Sequence, residues 1–314
     1  MSAPRPVWID TDMGFDDLAA ILTVAARPEW RIEGMSLVAG NAPLGAVADN
    51  AARSAALFGW TMPIHVGAAR PMVGEPITAG YVLGPTGMAT VGRELPPAPA
   101  RLADDDAVAA LARFLEASTE PRDVLALGPL TNIATLLLLR PHLAPRVVLT
   151  WMGGSLGSGN HTAAAEFNAA VDPEAVQIVV AAGVGFRMVG LEPCRQVQVT
   201  RADAQALRAL GSGRALTLAD LFEAYVRIAS PDGSAPMSLY DPTAAAALVD
   251  ADCLRWEPAH MDVELAGVHT RGMTVVERRP RRLAKAPPNV TVAASADAPR
   301  VRAVVLDALR TAAR

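Results

Sequence analysis

Several residue types are scarce in this chain of 314 residues, and each shortage excludes a class of protein. The two cysteines, Cys194 and Cys253, are too few and too far apart for a disulfide framework or a thiolate metal site, so we expect buried free thiols. Basic residues do not exceed acidic ones (28 against 32), which argues against a nucleic-acid binder because such proteins need a basic face. No stretch of about 20 apolar residues is free of charges and helix breakers, so no membrane span is expected.

The start of the chain and its composition set the expected organisation. The first residues, Met-Ser-Ala-Pro-Arg-Pro, contain no apolar signal core, and a cytoplasmic location is the default expectation. Hydrophobic residues make up 51% of the chain, which suits one large globular domain over residues 1–314. Residues 69–101 are rich in glycine and proline and predict a loop or lid insertion. Residues 200–250 predict a mostly helical segment.

Strand-like and helix-like stretches alternate through the first two thirds of the chain. Predicted strands cover residues 7–10, 32–39, 64–66, 124–127, 147–152 and 186–189. Predicted helices between them cover residues 18–26, 46–58, 105–117 and 174–182, with another that ends at residue 139. The last third predicts helices over residues 200–210, 216–228, 243–248 and 298–310, and strands over residues 263–265, 273–277 and 290–293. This alternation, with continuously apolar strands, is typical of an α/β fold with an open, mainly parallel sheet and helices on both faces.

Four carboxylates occur within eight residues at the end of the first predicted strand: Asp10, Asp12, Asp16 and Asp17. Four negative charges so close together repel one another strongly unless a positive charge offsets them. A hard divalent cation is the simplest such charge, because Ca²⁺ and Mg²⁺ take oxygen ligands. An aspartate at a strand–helix junction can instead cap the helix, and this alternative applies to Asp16, Asp17 and Asp241.

Polar residues also follow other predicted strands. They lie at Gly40-Asn41, at Leu127-Gly128-Pro129, at Gly153-Gly154 and, at the start of a later helix, at Tyr240-Asp241. Gly153-Gly154 leads to Asn160, Glu166 and Asn168, and His161 is a secondary candidate for a place near the site. Since ligands of open parallel sheets bind beyond the carboxyl ends of the strands, these side chains predict one common site.

These motifs resemble the signature of the inosine–uridine nucleoside hydrolases, the N-ribohydrolases. The resemblance begins with Asp10-Thr11-Asp12-Met13-Gly14-Phe15-Asp16-Asp17. It continues through Val38-Ala39-Gly40-Asn41, Leu127-Gly128-Pro129-Leu130-Thr131-Asn132-Ile133-Ala134, Gly159-Asn160, Ala165-Glu166-Phe167-Asn168, Asp172-Pro173-Glu174-Ala175 and Tyr240-Asp241-Pro242. Because matches in this order span nearly the whole chain, the resemblance implies the fold of that family and hydrolysis of ribonucleosides to ribose and a free base.

The resemblance implies a Ca²⁺ site and a ribose site. The metal ligands would be the carboxylates of Asp12, Asp17 and Asp241 and the main-chain carbonyl of Leu127. Asp10 would orient these ligands. The ribose hydroxyls would be held by Asp16, Asn41, Asn160, Glu166 and Asn168. Carboxylates and amides suit a diol, which offers both donors and acceptors.

The mechanism implied by the resemblance uses a water whose pKa is lowered by Ca²⁺ and which lies below the anomeric carbon. Asp12 would take the proton of that water as the general base. The C–N bond would loosen toward an oxocarbenium-like state that Glu166 stabilises. Asn168 would hold the 5′-hydroxyl and steer electrons of the ring oxygen toward the reacting carbon. No organic cofactor is expected.

Two positions depart from the family pattern, and both concern the leaving base. Many members carry a histidine immediately before the aspartate of the last motif, and this chain has Tyr240 there. Members also commonly have a His-Gly pair in the long loop, and this chain has Leu83-Gly84 there. A phenol, with an ordinary pKa of about 10, donates a hydrogen bond well but a proton reluctantly. Activation of the leaving group must therefore come from Tyr240, another residue or solvent. Tyr225, Arg227 and Trp256 are further candidates, although each fits a packing role better.

Other functions are also compatible with parts of the sequence. Asp10-Thr11-Asp12 resembles the nucleophile motif of haloacid-dehalogenase-like phosphohydrolases, but the only lysine is Lys285 and no acidic pair follows it. The chain could hydrolyse a riboside with a better leaving group than a purine or uracil. It could also bind ribose or a nucleoside in the presence of Ca²⁺ with little or no catalysis, although Asp12 and Glu166 argue against pure binding. The expected partner is a small nucleoside or riboside, with neither nucleic acid nor membrane, and relatives suggest a homodimer or homotetramer.

Overall fold

One large sheet organises the fold, which the computed structural model describes for residues 3–99 and 102–314. Within these ranges the strands are β1 (Arg5–Thr11), β2 (Trp30–Leu37), β3 (Ile64–Val66), β4 (Arg122–Ala126), β5 (Val147–Met152), β6 (Gly185–Val189), β7 (Gln198–Val199), β8 (Met237–Ser238), β9 (Leu254–Val263), β10 (Thr274–Glu277) and β11 (Val290–Ala296). The helices are α1 (Phe15–Ala25), α2 (Leu44–Phe58), α3 (Gly80–Leu83), α4 (Ala107–Glu116), α5 (Thr131–Leu139), α6 (Phe167–Val171), α7 (Pro173–Ala181), α8 (Leu191–Gln196), α9 (Arg201–Arg208), α10 (Gly213–Val226), α11 (Asp241–Val249), α12 (Pro280–Leu283) and α13 (Ala298–Ala313). Two 3₁₀ helices cover Pro141–Arg146 and Ala251–Cys253.

The strand order of the large sheet creates a switch point between β1 and β4. The order is β10-β9-β11-β6-β5-β4-β1-β2-β3, and β7 pairs with β8 in a separate small sheet. From β11 to β3 every neighbouring pair is parallel, whereas β9 is antiparallel to both of its neighbours. The chain runs outward from β1 to β2 and β3, and then returns to β4 on the other side of β1. Ligands of open sheets bind beyond the carboxyl ends of the strands at such a switch point.

Side chains of β1 alternate between two apolar layers that cover the sheet. Val7 and Ile9 are fully buried on one face, in a layer that includes Leu18 of α1. Trp8 packs on the other face, in a layer that includes Trp151 of β5. This alternation has the period of two that a strand requires, and burial on both faces explains why β1 is a continuous apolar run in the sequence.

The predicted fold class, an open and mainly parallel sheet with helices on both faces, is confirmed. The predicted strand over residues 263–265 is wrong, because β9 covers Leu254–Val263 and ends where that prediction begins. Much of β9 is exposed or half-buried, and Pro258 interrupts it, so it has no apolar run. Proline is tolerated there because β10 pairs only with His260–Val263, which leaves one side of β9 open at Pro258.

The shortest helices were not predicted, since one or two turns have no readable period. They are α3, α6, α8 and α12, with four to six residues each. In the predicted lid over residues 69–101 the structure has α3 within irregular backbone, and residues 100 and 101 lie outside the described residues. The segment over residues 200–250 contains α9, α10 and α11. Both cysteines are buried free thiols, as predicted. None of the described helices has the length and apolar character needed to cross a membrane.

Candidate active site

The carboxylate-rich turn lies at the switch point of the sheet. Asp12 follows Thr11, the last residue of β1, and Leu127 follows the end of β4, the neighbouring strand. The backbone N of Leu127 donates to the carbonyl of Asp10 at 2.8 Å, which continues the pairing of the two strand ends. Met13 has a φ of +47°, a left-handed conformation that costs free energy for a residue with a side chain. Strain of this kind clusters at functional sites.

Two glycines make room for the carboxylates and their partner Asn41. A Cβ atom at Gly40 would collide with Oδ2 of Asp12 and would lie 2.9 Å from Cδ of Pro129. A Cβ atom at Gly14 would lie 2.8 Å from Nδ2 of Asn41. Both positions therefore require glycine because other atoms approach the backbone closely.

Asp17 holds the turn together through four hydrogen bonds. Its Oδ1 accepts from the hydroxyl of Thr11 and from the backbone N of Asp12 at 3.2 Å. Its Oδ2 accepts from the backbone N of Gly14 at 2.8 Å and from Nδ2 of Asn41 at 3.1 Å. The capping alternative is thus partly right, because Gly14 is the N-cap of α1 and Asp17 reaches back to the Gly14 amide.

Asp12 and Asp241 are both nearly inaccessible to solvent, with exposed fractions of 1% and 3%. The oxygens of Asp12 accept from Asn41, Oδ2 from its backbone N at 2.7 Å and Oδ1 from its Nδ2 at 3.0 Å. The alternative that Asp241 caps α11 is wrong, because Tyr240 is the N-cap and Asp241 is the first helical residue. Its carboxylate is therefore available to the cluster.

Burial raises the pKa of every carboxyl group in this cluster, and repulsion between neighbouring carboxylates adds to the effect for Asp12, Asp16 and Asp241. Burial raises the pKa of Asp16 to about 7, and the charge of Asp17 adds to the effect. The pKa values of Asp12 and Asp241 lie well above their usual range, first because both groups are buried and then because neighbouring carboxylates repel their charge. Burial also raises the pKa of Asp17, although its hydrogen bonds act in the opposite direction. A bound cation would favour the ionised form of all these groups.

The oxygen atoms of the cluster fit a hard divalent cation. One carboxylate oxygen from each of Asp16, Asp17 and Asp241 lies within 4.8 Å of the other two. An ion such as Ca²⁺, roughly 2.3–2.6 Å from each ligand, can join oxygens up to about 5 Å apart. The predicted ligands Asp17 and Asp241 thus come together, but Asp16, predicted for ribose, completes this set in place of Asp12. Asp12 instead accepts the two hydrogen bonds from Asn41.

Asp10 connects the turn to the neighbouring elements. Its Oδ1 accepts from the hydroxyl of Ser36 in β2 and from Nδ2 of Asn132 in α5 at 2.8 Å. Ser36 in turn accepts from Nε1 of Trp8 at 2.9 Å, and Asn132 accepts from the backbone N of Ala68 at 2.8 Å. Oδ2 of Asp10 has no hydrogen-bond partner among the described residues, and burial raises the pKa of this carboxyl to about 7. These contacts suit the orienting role predicted for Asp10.

A cavity of about 220 Å³ contains most of the predicted site. Nine of the eleven predicted site residues line it: Asp12, Asp16, Asn41, Leu127, Asn160, Glu166, Asn168, Tyr240 and Asp241. The other two, Asp10 and Asp17, are fully buried in and beside the turn. The fold therefore brings side chains from five separate stretches of the sequence to one cavity.

Glu166 and Asn168 are held by the backbone around them. Glu166 is the N-cap of α6, and its carboxylate accepts from the backbone N of Gly154 at 2.7 Å and of Asn168 at 2.9 Å. Burial raises the pKa of Glu166 to about 7 in spite of these bonds. Nδ2 of Asn168 donates to the carbonyls of Leu127 and Met152, both at 2.9 Å. Both amide protons of Asn168 are thus in use, and Oδ1 is the atom that can accept from a substrate hydroxyl.

The two other asparagines of the cavity differ in their contacts. Nδ2 of Asn41 donates to Asp12 and Asp17, so Asn41 braces the carboxylates in addition to lining the cavity. Asn160 is exposed, and its Oδ1 accepts from the backbone N of Phe167 at 2.9 Å. Its amide protons are therefore the groups that can reach a ligand.

Part of the cavity lining is aromatic or apolar, and the sequence indicated little of this part. Tyr81, Leu83, His161 and Phe167 lie there. Tyr81 belongs to the short helix α3, in a region without hydrophobic periodicity, so no pattern singled it out. His161 could be found only through its neighbour Asn160.

The three further candidates for the leaving group have other partners. Tyr225 lines the cavity, but its hydroxyl donates to the carbonyl of Ser238 at 2.7 Å. Arg227 forms an ion pair with Glu223 at 2.9 Å. Nε1 of Trp256 donates to a backbone carbonyl at 3.2 Å. These contacts agree with the packing roles expected for all three.

The fold and the cavity together indicate an α/β enzyme whose site combines two kinds of group. Carboxylates that could bind a metal ion lie at the switch point, beside carboxylate and amide groups that can hold hydroxyls. Aromatic side chains that also line the cavity suit a flat ring. A sugar joined to a planar base combines the two kinds of group.

Comparison with known proteins identifies the family. The profile of the inosine-uridine preferring nucleoside hydrolases matches residues 7–303. The chain belongs to this family, and it is an N-glycosidase that hydrolyses ribonucleosides.

Individual relatives and solved structures agree with this membership. The pyrimidine-specific ribonucleoside hydrolase RihA of Photobacterium profundum is 36% identical over 293 residues, 92% of this chain and 93% of the relative. The protein of the same name from an Enterobacter species is 34% identical over 276 residues, 87% and 88% of the two chains. A solved purine-preferring ribonucleoside hydrolase from Gardnerella vaginalis has a TM-score of 0.90 at 25% identity, and covers 98% of this chain and 99% of its own. A solved plant nucleoside hydrolase has a TM-score of 0.86 at 27% identity, with 98% and 99% covered.

The close approach of Asp12 to Gly40 can be tested by mutation. Gly40→Ala should lower kcat for ribonucleosides about 10- to 100-fold, because the new methyl group would displace the carboxylate of Asp12. Gly45→Ala is the matched control, since its Cβ would meet nothing within 4 Å and alanine favours helix α2 by about 1 kcal/mol. Steady-state kinetics measures kcat of both variants, and thermal unfolding shows whether both are folded. Equal kcat values for the two variants would contradict the steric argument.

Proposed function

We propose that the chain hydrolyses pyrimidine ribonucleosides in a Ca²⁺-dependent reaction. The observation that carries this proposal is a cavity in which carboxylates of the buried cluster and groups that can hold ribose hydroxyls lie together. The preference for pyrimidines rests on the two relatives of 34% and 36% identity, whose names state pyrimidine specificity.

The cation would be held by Asp12, Asp17 and Asp241 and by the carbonyl of Leu127, with Asp16 beside them. All of these donors are oxygens, as a hard cation requires. When bound, Ca²⁺ would lower the pKa of a water in the site and fix the position of that water. The carboxylates, relieved of their mutual repulsion, would then stay ionised at neutral pH.

Asp12 is the general base of the proposed reaction. As the water oxygen forms its bond to C1′, one water proton goes to the Asp12 carboxylate, and the electron pair of the C1′–N bond leaves with the base. The ribose ring carries positive charge in the transition state. Glu166, which is 2% exposed and lines the cavity, supplies negative charge to stabilise it.

The remaining residues position the substrate. Asp16, Asn41 and Asn160 hold ribose hydroxyls, and Oδ1 of Asn168 accepts from the 5′-hydroxyl, which directs electrons of the ring oxygen toward C1′. Tyr240 lines the cavity, and burial raises its pKa. Its phenol can therefore donate a hydrogen bond to the base, but it gives up its proton less readily than an exposed phenol.

A substrate panel tests the proposal. The purified protein is incubated with uridine, cytidine, inosine, adenosine and 4-nitrophenyl riboside, first in EDTA and then after addition of Ca²⁺ or Mg²⁺. We expect the two pyrimidine nucleosides to react at least about tenfold faster than the purine nucleosides, since pocket contacts that reject a wrong ring are worth roughly 1–3 kcal/mol. We expect EDTA to abolish turnover and Ca²⁺ to restore it better than Mg²⁺.

Different failures refute different parts of the proposal. Full turnover after exhaustive chelation would refute the metal requirement. Turnover of the nitrophenyl riboside alone would favour a riboside with a better leaving group as the natural substrate, and ribose binding without any turnover would favour a binding protein. The cytoplasmic location and the homodimer or homotetramer stay predictions.

A further inference from the structure

Two segments that are distant in sequence meet in the aromatic part of the cavity lining. Tyr81 lies in α3, in the lid region, and His161 lies in the loop between β5 and α6. The hydroxyl of Tyr81 is 3.1 Å from Nδ1 of His161, and the two ring centres are 6.4 Å apart. Both residues line the cavity, so this hydrogen bond joins two walls of the substrate site.

His161 is held in place by its own loop. Its backbone N donates to the carbonyl of Ala165 at 3.2 Å, and the ring of Phe167 meets its ring edge-on with centres 5.5 Å apart. Nη2 of Arg195 donates to the carbonyl of Gly159 at 2.8 Å, which ties the same loop to α8. The imidazole is therefore positioned before a substrate binds, as efficient proton transfer requires.

The other ionisable groups of the cavity are occupied or unsuited to protonate the base. The hydroxyl of Tyr225 donates to Ser238, and burial raises the pKa of Tyr240. The carboxyl groups of the cavity serve the metal and the ribose in the proposed function. Leu83 carries no proton to donate.

The contact with Tyr81 suits the tautomer of the imidazole whose Nδ1 accepts from the phenol hydroxyl. Burial lowers the pKa of His161, so the ring is neutral at neutral pH. A neutral imidazole whose Nδ1 accepts a hydrogen bond carries its proton on Nε2. Nε2–H is then the donor that His161 can present to a ligand in the cavity.

On the basis of the function proposed above, we propose that His161 and Tyr81 form a proton relay to the departing base. As the C1′–N bond breaks, its electron pair stays on the base, which takes the proton from Nε2 of His161. Nδ1 of His161 takes the hydroxyl proton of Tyr81 in the same step, so the imidazole stays neutral. The Tyr81 phenolate lies on a residue that is 70% exposed, so solvent stabilises its charge. After the base has left, Nε2 of His161 takes a proton from solvent and Nδ1 returns its proton to the phenolate, which restores the starting state. His161 is the catalytic residue of this pair, and Tyr81 acts through it.

Substrates that differ in their leaving group test the relay. A pyrimidine needs a proton as it departs, whereas 4-nitrophenolate leaves without one. We expect His161→Gln to lower kcat for uridine about 100-fold, the low end of general acid effects. Tyr81→Phe should lower it only about tenfold, because Tyr81 acts through His161. We expect both variants to keep kcat for 4-nitrophenyl riboside within about twofold of the wild type, which also shows that they are folded. His269→Gln, a change at an exposed histidine, is the control and should alter neither rate.

A double variant tests whether Tyr81 acts through His161. Tyr81→Phe combined with His161→Gln should be no slower on uridine than His161→Gln alone, because both changes interrupt one relay. Multiplied losses in the double variant, equal losses on both substrates, or no loss on uridine would overturn the relay. A wild-type protein that hydrolyses the nitrophenyl riboside but no nucleoside would overturn it too, while the proposed metal and ribose sites would stand. A wild-type protein that hydrolyses no riboside would refute the proposed function and the relay together.

Discussion

Asp12→Asn should lower kcat about 10³-fold for uridine and for 4-nitrophenyl riboside alike. The substitution keeps the size of the side chain but removes the carboxylate that takes the water proton, and general bases contribute about 10²- to 10⁴-fold. Asp12 is 1% exposed, so solvent cannot easily supply another base at its position. Water attack is common to both substrates, and therefore both rates should fall together. An equal loss on both substrates is expected only for a residue that acts on the attacking water. A residue of the relay, which acts on the departing base, should show a loss on uridine alone.

A matched aspartate controls this experiment. The side chain of Asp262 is 65% exposed on β9, and Asp262→Asn should leave both rates unchanged. Calorimetric titration with Ca²⁺ should accompany the kinetics, because Asp12 is also a proposed ligand. A rate for Asp12→Asn within tenfold of the wild type at saturating Ca²⁺ would show that another group is the base.

The parallel part of the fold could be predicted because its strands are apolar on both faces. The runs at residues 7–10, 124–127 and 147–152 correspond to β1, β4 and β5 at the centre of the sheet. The antiparallel strand β9 could not be predicted, since its burial is mixed and Pro258 interrupts it. Sequence patterns identify a strand through burial, and β9 is too exposed to show one.

The position of the site could be predicted from the ends of the strands. The sequence could not predict which aspartates would lie together as a possible metal site. Asp12 and Leu127 come together because β1 and β4 are neighbours at the switch point. Which aspartates share one cluster of oxygens depends on side-chain rotamers, and there the structure groups Asp16 with Asp17 and Asp241. Spacing along the chain carries no information about such rotamers.

The contact between Tyr81 and His161 shows a second limit. It joins residues 80 positions apart through a lid that has no hydrophobic period. Neither residue stands in a motif that requires its chemistry, so only the folded chain reveals that they meet. The departures from the family pattern at Leu83 and Tyr240 indicated that another group must protonate the leaving base. They did not indicate where in the chain that group lies.

The metal-free protein should lose stability as the pH rises from about 4 to about 8. Burial raises the pKa values of Asp10 and Asp16 from 3.8 to about 7, and those of Asp12, Asp17 and Asp241 shift in the same direction. The folded protein therefore keeps protons that the unfolded chain releases in this range. Their stabilising contribution is complete below pH 3.8 and is lost as the pH rises through about 7. Each such proton lowers the free energy of unfolding by about 1.4 kcal/mol per pH unit.

Ca²⁺ should reverse this loss, because it binds the ionised carboxylates that destabilise the metal-free protein. At about 100 times its Kd the ion should add about 2.7 kcal/mol to the free energy of unfolding, which corresponds to a rise in Tm of about 4 °C for a chain of this length. The rise should be larger at pH 8 than at pH 5, since protons compete for the ligands. Thermal unfolding in EDTA and in Ca²⁺ at both pH values measures it. Asp241→Asn should remove most of the Ca²⁺ effect, and Asp262→Asn should keep it. A Ca²⁺ effect of the same size in both variants would place the cation elsewhere than at this carboxylate cluster.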